Sequence, residues 1–209
     1  MLLATDDASG AVRHRTQVGW ATAGGLLIDL VLAGRIRVSE RYLSLLDTTP
    51  TGDALLDGRM GLIGEWRGER TVGRVTEWLG RDRSKALEAA VGSLCDRGIL
   101  AAGRRILGVV PVRRYPEADG APERELRGRP RTVVLDGARP DERTAPLIAL
   151  IHATKLHALA LPDTHNPQVF IGTASVASGQ WASDRVRTAI HEVTAAALGV
   201  SFAPTITSS

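Results

Sequence analysis

The chain has 209 residues, 44% of them hydrophobic and 23% charged, which is enough to bury a core and excludes a disordered or collagen-like protein. A single cysteine excludes an intramolecular disulfide, and no apolar run approaches the roughly 20 residues of a membrane-spanning helix. The net charge is +3 and 24 of the 26 cations are arginine, which suits an anionic partner such as a phospholipid head group or a nucleic acid, although a GC-rich genome explains the same composition.

The first predicted elements are a helix and a strand pair. Residues 25–37 have apolar side chains at helical spacing, Gly34 is a typical helix stop, and residues 35–38 and 41–46 then read as paired strands. The stretch "TPTGDALLD" follows. We predict that Asp53 caps the next helix and that Asp57 lies in its first turn, because two carboxylates four residues apart supply too few oxygen ligands for a metal ion.

The middle of the chain predicts two short helices and a hairpin. Residues 70–79 form the first helix, the sequence "GRDRSK" breaks it, and Ser84 caps a second helix over residues 85–97. Cys95 lies in the apolar pattern of that helix and is predicted to be a small core residue. Two short strands then surround a turn at residues 102–105.

The last third predicts loops and two helices. Residues 116–130 contain three prolines and are expected to form a marginal helix or a loop. One helix is predicted to begin near Asp141 and to continue through "HATKLHALAL". Residues 162–179 read as a loop, residues 180–198 as the last helix, and residues 201–209 as a frayed tail, so that residues 1–200 form a single domain.

No pattern of a catalytic, cofactor or metal site is present. His152 and His157 are five residues apart and so do not share a helix face, and His191-Glu192 lacks the second histidine of a zinc protease. There is no dinucleotide-binding fingerprint, no P-loop and no nucleophile elbow. We therefore expect no enzyme activity, no cofactor and no metal.

A winged-helix-like nucleic-acid binder is one interpretation of residues 85–112. The helix would act as the recognition helix, and a hairpin with Arg104 and Arg105 at its tip would act as the wing. Glu88 and Asp96 on the outward side of that helix argue against it, because they would face phosphates.

Several blocks resemble the Golgi phosphoprotein 3-like family, which includes bacterial members. They are "LLIDLVLAGRI", "PTGDALLD", "SLCDRGIL" before a hairpin, "RYP", and "RTAPLIALIHATKLHALAL", and they occur in the family's order. The resemblance implies a mainly α-helical fold with a protruding β-hairpin and short strands, and no catalytic activity. Eukaryotic members bind phosphatidylinositol 4-phosphate and link membrane-protein tails to a vesicle coat.

The resemblance implies a lipid pocket of one Trp and three basic residues, but the matching positions here are different. They fall on His14, Ala23, Ser84 and Leu87. The nearest substitutes are displaced along the chain: Trp20, Arg81, Arg83 and Lys85. We hypothesise that Trp20 lies at the membrane interface and that Arg83 and Lys85 hold a phosphate at a helix start.

The family's hairpin mediates self-association, and the apolar hairpin residues Ile106, Leu107, Val109 and Val110 lead us to expect a homo-oligomer here. The combined prediction is a non-enzymatic adaptor on the inner face of the membrane. It would bind anionic phospholipid, including a phosphoinositide, and a membrane-protein client. The alternative is nucleic-acid binding through residues 85–112.

Overall fold

The described part of the chain is mainly helical, as the sequence predicts. The computed structural model describes residues 12, 14–68, 73–101, 103–107, 110–114, 118, 121–161, 167–177 and 184–201. The helices are α1 (Arg15–Leu32), α2 (Ala54–Gly68), α3 (Val75–Asp96), α4 (Ala121–Asp136), α5 (Thr144–Ala153), α6 (His157–Ala160), α7 (Pro167–Ala177) and α8 (Asp184–Ser201). The described residues also form two antiparallel strand pairs. Strand β1 (Ile36–Ser39) pairs with β2 (Tyr42–Leu45), and β3 (Gly103–Leu107) pairs with β4 (Val110–Arg114).

Helix α1 is the centre of the largest hydrophobic core. It packs against α2, α3, α5, α8 and β1, and most of its side chains are buried. A second cluster joins α4, α5 and α7, and α5 belongs to both because Leu150 faces the first core and Ile148 the second. None of the helices in the described residues is both long and apolar enough to cross a bilayer.

The "PTGD" turn is a helix start, and both aspartates have the predicted role. Asp53 accepts hydrogen bonds from the backbone N–H groups of Leu55 and Leu56, at 2.8 and 3.1 Å. Asp57 reaches back to Thr51, whose backbone N–H and hydroxyl both donate to one Asp57 oxygen at 2.7 Å. These bonds favour the carboxylate and lower the pKa of Asp57.

The predicted break between residues 79 and 85 is wrong, because α3 runs through it as one helix. Gly80 lies within the helix, its Cα facing the Trp20 ring of α1. Asp82 is buried and pairs with Arg59 of α2. Ser84 is therefore an exposed residue inside a helix and not a cap. Contacts with α1 and α2 outweigh the local preference of the polar segment for a turn.

The second hairpin exists, but its strands are not arranged around residues 102–105 as predicted. Leu107 pairs with Val110, so the two strands are closest in sequence at that pair. Arg104 and Arg105 consequently belong to β3, opposite Arg113 and Val112, and are not at the tip. The wing of the winged-helix interpretation therefore lacks its expected tip cations. Val109 lies outside the described residues.

Of the two alternatives for residues 116–130, the structure shows a helix in the described part, and residues 162–179, predicted as a loop, contain another. In α4 the first-turn position of Pro122 is compatible with a helix, and Arg127 and Arg129 pair with Glu123 and Glu125 one turn earlier. In α7 the small residues that suggested a loop form a packing surface. A Cβ atom at Gly172 would lie 2.9 Å from the Val134 carbonyl oxygen, so only glycine permits this approach to α4.

The helix predicted from Asp141 onward starts as expected but is interrupted. Asp141 accepts hydrogen bonds from the N–H groups of Arg143 and Thr144, at 2.9 and 2.6 Å. Helix α5 then ends at Ala153, and Lys155 adopts a positive φ of 56° before α6 begins. The final helix is confirmed in outline, and the predicted tail beyond Ser201 lies outside the described residues.

Candidate functional site

Arg81 and Lys85 form an exposed pair on α3, which we call the α3 cation pair. They are one helical turn apart and both line a small groove of about 90 Å³ between α2 and α3. The buried side chains of Trp66 and Trp78, 4% and 3% exposed, also line the groove, and their ring centroids are 5.4 Å apart. The two exposed cations can donate hydrogen bonds to phosphate oxygens, so the α3 cation pair suits a phosphorylated head group.

Two carboxylates in the same groove oppose an anion. Glu65 lines it, and Asp82 lies between the two cations along the helix. An Asp82 oxygen is 2.7 Å from an Arg59 guanidinium nitrogen. Burial nevertheless raises the pKa of Asp82, and the charges of Arg59 and Lys85 only partly offset that effect. An anionic ligand would therefore contact the rim of the groove, where the α3 cation pair is exposed.

Arg83 does not join this pair. It lies on the other side of α3, half-buried, with its guanidinium carbon 5.4 Å from the centroid of the Trp20 ring. The helices are close here, since a Cβ atom at Gly19 would lie 3.0 Å from the Arg83 carbonyl oxygen. The structure thus brings Arg83 to Trp20 and separates both from Arg81 and Lys85.

Two sequence-based hypotheses about these residues are wrong. Trp20 is 2% exposed and packs in the core, so it does not reach a membrane interface. Arg83 and Lys85 are in the middle of α3, where the backbone N–H groups are engaged in the helix, so they do not offer a phosphate site at a helix start. Lipid binding by this region remains a prediction that depends on the exposed side chains.

The positions that match the family's lipid pocket do not form an anion site. Ala23 and Leu87 are apolar and buried, at 1% and 3% exposed. His14 is exposed at the start of α1 with a φ of 48°, and Ser84 is exposed on α3. An anionic lipid bound at these positions would meet one imidazole and one hydroxyl and no arginine.

A larger cavity lies elsewhere, between α1, α3, α5 and α6, and we call it the α1 groove. Its volume is about 370 Å³, and most of the lining is aliphatic. The polar side chains that line it are Thr22, Asp29, Ser93, Arg97 and Arg143. A mostly apolar cavity of this size with few polar groups is typical of a ligand site.

Asp29 is the chemically distinctive residue of the α1 groove. Burial raises its pKa, with Arg143 opposing the shift and Asp53 adding to it. Among the described residues, no hydrogen bond or ion pair satisfies the Asp29 carboxylate. The Thr22 hydroxyl, two turns earlier on the same helix, is also buried without a hydrogen-bond partner in that part of the chain. Both groups would accept a donor from a bound partner.

Sequence reasoning did not find this groove. Asp29 lines the groove together with residues of α5 and α6, which are more than 100 positions away in the chain. The available signal was a lone carboxylate within the apolar run "LLIDLVL". Within the described residues, no group of three or more His, Cys, Asp or Glu side chains could hold a metal ion.

Helical packing around α1, the "PTGD" helix start and the hairpin after α3 define a helical domain with two small hairpins. A search among curated proteins found no match. The family model of Golgi phosphoprotein 3 matches residues 1–193, nearly the whole chain. The chain therefore belongs to the Golgi phosphoprotein 3 family.

Proposed function

We propose that this protein is a non-enzymatic adaptor that attaches peripherally to anionic membrane, on its inner face, and prefers phosphorylated head groups. The observation that carries the proposal is the α3 cation pair, two exposed cations beside the groove between α2 and α3. Family membership supports it, because phosphoinositide binding is the activity that the family resemblance implies.

The hairpin supplies a second basic region. Its register pairs Arg104 with Arg113, so these two positions share one face of the hairpin, whereas Arg105 and Arg114 are on the opposite face. Arginine favours phosphate oxygens. A basic hairpin would also attract nucleic acid, which is why the test must include a duplex competitor.

Co-sedimentation with liposomes tests the proposal. Liposomes with phosphatidylinositol 4-phosphate are compared with liposomes of equal charge made with phosphatidylserine, and duplex DNA is the competitor. Each basic residue near an anionic surface contributes about 1 kcal/mol. Arg81→Glu with Lys85→Glu should therefore weaken binding more than about tenfold. Arg124→Glu with Arg139→Glu, an equal charge change at exposed sites, is the matched control.

The proposal is supported if the wild-type protein prefers the phosphoinositide liposomes and the double variant Arg81→Glu with Lys85→Glu loses that preference. Equal loss with the control pair would mean a generic electrostatic attraction. Failure to bind either liposome while binding DNA would replace the proposal by the nucleic-acid alternative.

The adaptor would hold its client in the α1 groove. We propose an apolar segment with one cationic side chain as the occupant, because the Asp29 carboxylate has no ion pair among the described residues and most of the remaining lining is aliphatic. Arg97 and Arg143 also line the groove, so the cation must bind at the Asp29 end. A short fluorescent leucine-rich peptide with one lysine should bind more tightly than the same peptide with norleucine. Asp29→Asn should remove that difference, and Asp136→Asn, an exposed carboxylate on α4, should keep it. Equal binding of both peptides to the wild-type protein would contradict the assignment.

A further inference from the structure

The interruption between α5 and α6 brings two histidines together. In a continuous helix, His152 and His157 would point in different directions, because five residues exceed one turn by a wide margin. The turn at Thr154 and Lys155, where Lys155 has a φ of 56°, redirects the chain. His152 Nδ1 and His157 Nε2 are consequently only 3.4 Å apart.

Thr173 of α7 adds a third donor atom. Its Oγ1 lies 3.0 Å from His152 Nδ1 and 3.3 Å from His157 Nε2. The residue is fully buried, and its hydroxyl has backbone carbonyl acceptors at Val169, 2.8 Å away, and Phe170, 3.0 Å away. We call these three side chains the histidine triangle.

We propose that the histidine triangle is a binding site for a divalent late first-row metal ion, with Zn²⁺ the best geometric match. Zn²⁺ binds imidazole nitrogen at about 2.0–2.1 Å in a tetrahedron, which sets neighbouring ligand atoms about 3.3 Å apart. The three separations here, 3.0, 3.3 and 3.4 Å, are close to the edges of one tetrahedral face.

The three atoms can each offer a lone pair. The Thr173 hydroxyl donates its proton to the Val169 carbonyl oxygen, 2.8 Å away, so its oxygen keeps its lone pairs. In the metal-free protein these lone pairs accept N–H groups of the two rings. A metal ion would instead take one lone pair from each atom, with His152 protonated at Nε2 and His157 at Nδ1.

The surroundings keep both rings available as neutral ligands. Burial lowers the pKa of His152, and burial followed by the proximity of His152 lowers the pKa of His157. Neutral imidazole is the form that binds metal. The Phe170 ring lies 4.9 Å from the His152 ring and 5.8 Å from the His157 ring, and it is 60% exposed. The fourth position would be filled by water or an external ligand, as in an open zinc site.

Titration of the full-length protein with Zn²⁺ by calorimetry, after treatment with EDTA, tests the site. We expect saturable binding of one ion per chain. His152→Ala and His157→Ala should each weaken it by at least about tenfold, about 1.4 kcal/mol. Thr173→Val should have a smaller effect, and His191→Ala, an exposed histidine on α8, should have none. With Co²⁺ as the probe, a tetrahedral site should give intense visible absorption.

A measurement on the wild-type protein covers variants that fail to fold. On addition of Zn²⁺, the imidazole NMR signals of His152 and His157 should shift together at one equivalent, whereas those of the exposed His14 and His191 should not. Absence of saturable binding would overturn the proposal. So would binding that survives both alanine variants, or NMR shifts at His14 and His191 alone.

Discussion

At the scale of single residues, the buried carboxylate of Asp82 and the half-buried carboxylate of Asp29 show how function and stability oppose each other. The pKa values of Asp29 and Asp82 are both raised, and desolvation is the largest cause for each. Asp82 has a guanidinium 2.7 Å away, whereas Asp29 has only the more distant charge of Arg143. Desolvation therefore destabilises the ionised Asp29 carboxylate, and no close cation offsets this effect. Such an uncompensated carboxylate is typical of a ligand-binding site.

Asp29→Asn should make the protein more stable at neutral pH. A raised pKa in the folded state means that this state binds the proton more tightly than the unfolded chain does, so ionisation above the ordinary value of 3.8 destabilises the fold. Asparagine removes the charge and should increase the free energy of unfolding on the order of 1 kcal/mol. Urea denaturation at neutral pH measures this.

The pH dependence is the control for Asp29. Near pH 3, below both pKa values, Asp29 is protonated in the folded and unfolded states, and the advantage of the Asp29→Asn variant should be largely lost. A variant that is less stable than the wild type at neutral pH would mean that the carboxylate has a stabilising partner and would weaken the client site.

Asp82→Ala should have the opposite effect, because it removes the hydrogen-bond acceptor as well as the charge. It leaves the partly buried Arg59 guanidinium without its partner, and the Arg59 Nε already has no hydrogen bond in the described part of the chain. Removing one member of a buried pair costs about 3 kcal/mol or more. Replacing both, as Arg59→Met with Asp82→Leu, should return the free energy of unfolding to within about 1 kcal/mol of wild type. If the single variant has the same free energy of unfolding as the wild type, this pair does not stabilise the packing of α2 against α3.

At the scale of elements, the long helix α3 depends on its contacts more than on its local sequence. Gly80 is exposed within the helix, and a Cβ atom there would have only an ordinary contact at 3.6 Å with the Trp20 ring. Gly80→Ala should therefore stabilise the protein by about 0.5–1 kcal/mol, because alanine is the better helix former. Chemical denaturation followed by circular dichroism measures the change.

Gly98→Ala is the matched comparison for Gly80→Ala. Gly98 follows α3 with a φ of +69°, a backbone conformation that alanine adopts only with strain, so the variant should be less stable by about 1 kcal/mol. If Gly80→Ala also destabilises the protein, the result would contradict a continuous α3 and favour the predicted break between residues 79 and 85.

The elements that the sequence predicted correctly are those decided by neighbours in the chain. Gly34 ends α1 and Asp53 starts α2 because these residues complete backbone hydrogen bonds within one turn. The predictions were wrong where contacts with residues distant in the chain determine the secondary structure. Small residues read as a loop in α7 pack on α4 at Gly172, and the polar segment around Asp82 is held by Arg59.

The same distinction applies to the site residues. Arg81 and Lys85 were named from the sequence only as basic residues near the family's pocket positions, and their one-turn spacing on a single helix was missed because a break was predicted there. Asp29 and the histidine triangle were not identifiable, because each requires side chains from helices that no local pattern connects. Trp20 was assigned to the membrane because its burial depends on the approach of α3 to α1.

The junction of α5, α6 and α7 should make the metal-free protein sensitive to acid. The pKa values of His152 and His157 are lowered in the fold from the ordinary value of 6.5, so the unfolded chain binds more protons as the pH falls below that value. Stability should therefore decrease between pH 7 and pH 5 in the presence of EDTA. Thermal melts over this range measure it, and His152→Gln with His157→Gln should flatten the dependence. An unchanged slope in that double variant would contradict the assignment.

At the scale of the whole molecule, the β3–β4 hairpin is the expected surface for self-association. Its register separates two regions, with Ile106 and Leu107 opposite Pro111 and Val110 at the turn, and the arginines of β3 and β4 at the other end. Apolar residues at a hairpin turn are costly in water unless another surface covers them. A second copy of the chain and the hydrocarbon edge of a bilayer are both suitable.

Sedimentation velocity at several concentrations, with Leu107→Ser and Val110→Ser as the test variant, separates these two surfaces. We expect the wild type to associate reversibly and the variant to remain monomeric, because each serine removes apolar area worth about 1.5–3 kcal/mol per buried side chain. Phe170→Ser with Ile171→Ser changes exposed apolar residues of α7 and should not alter the association. A wild-type monomer at the highest concentration would remove the oligomer prediction. In that case we expect the apolar end of the hairpin to contact the bilayer, and the variant Leu107→Ser with Val110→Ser should bind liposomes less tightly than the wild type.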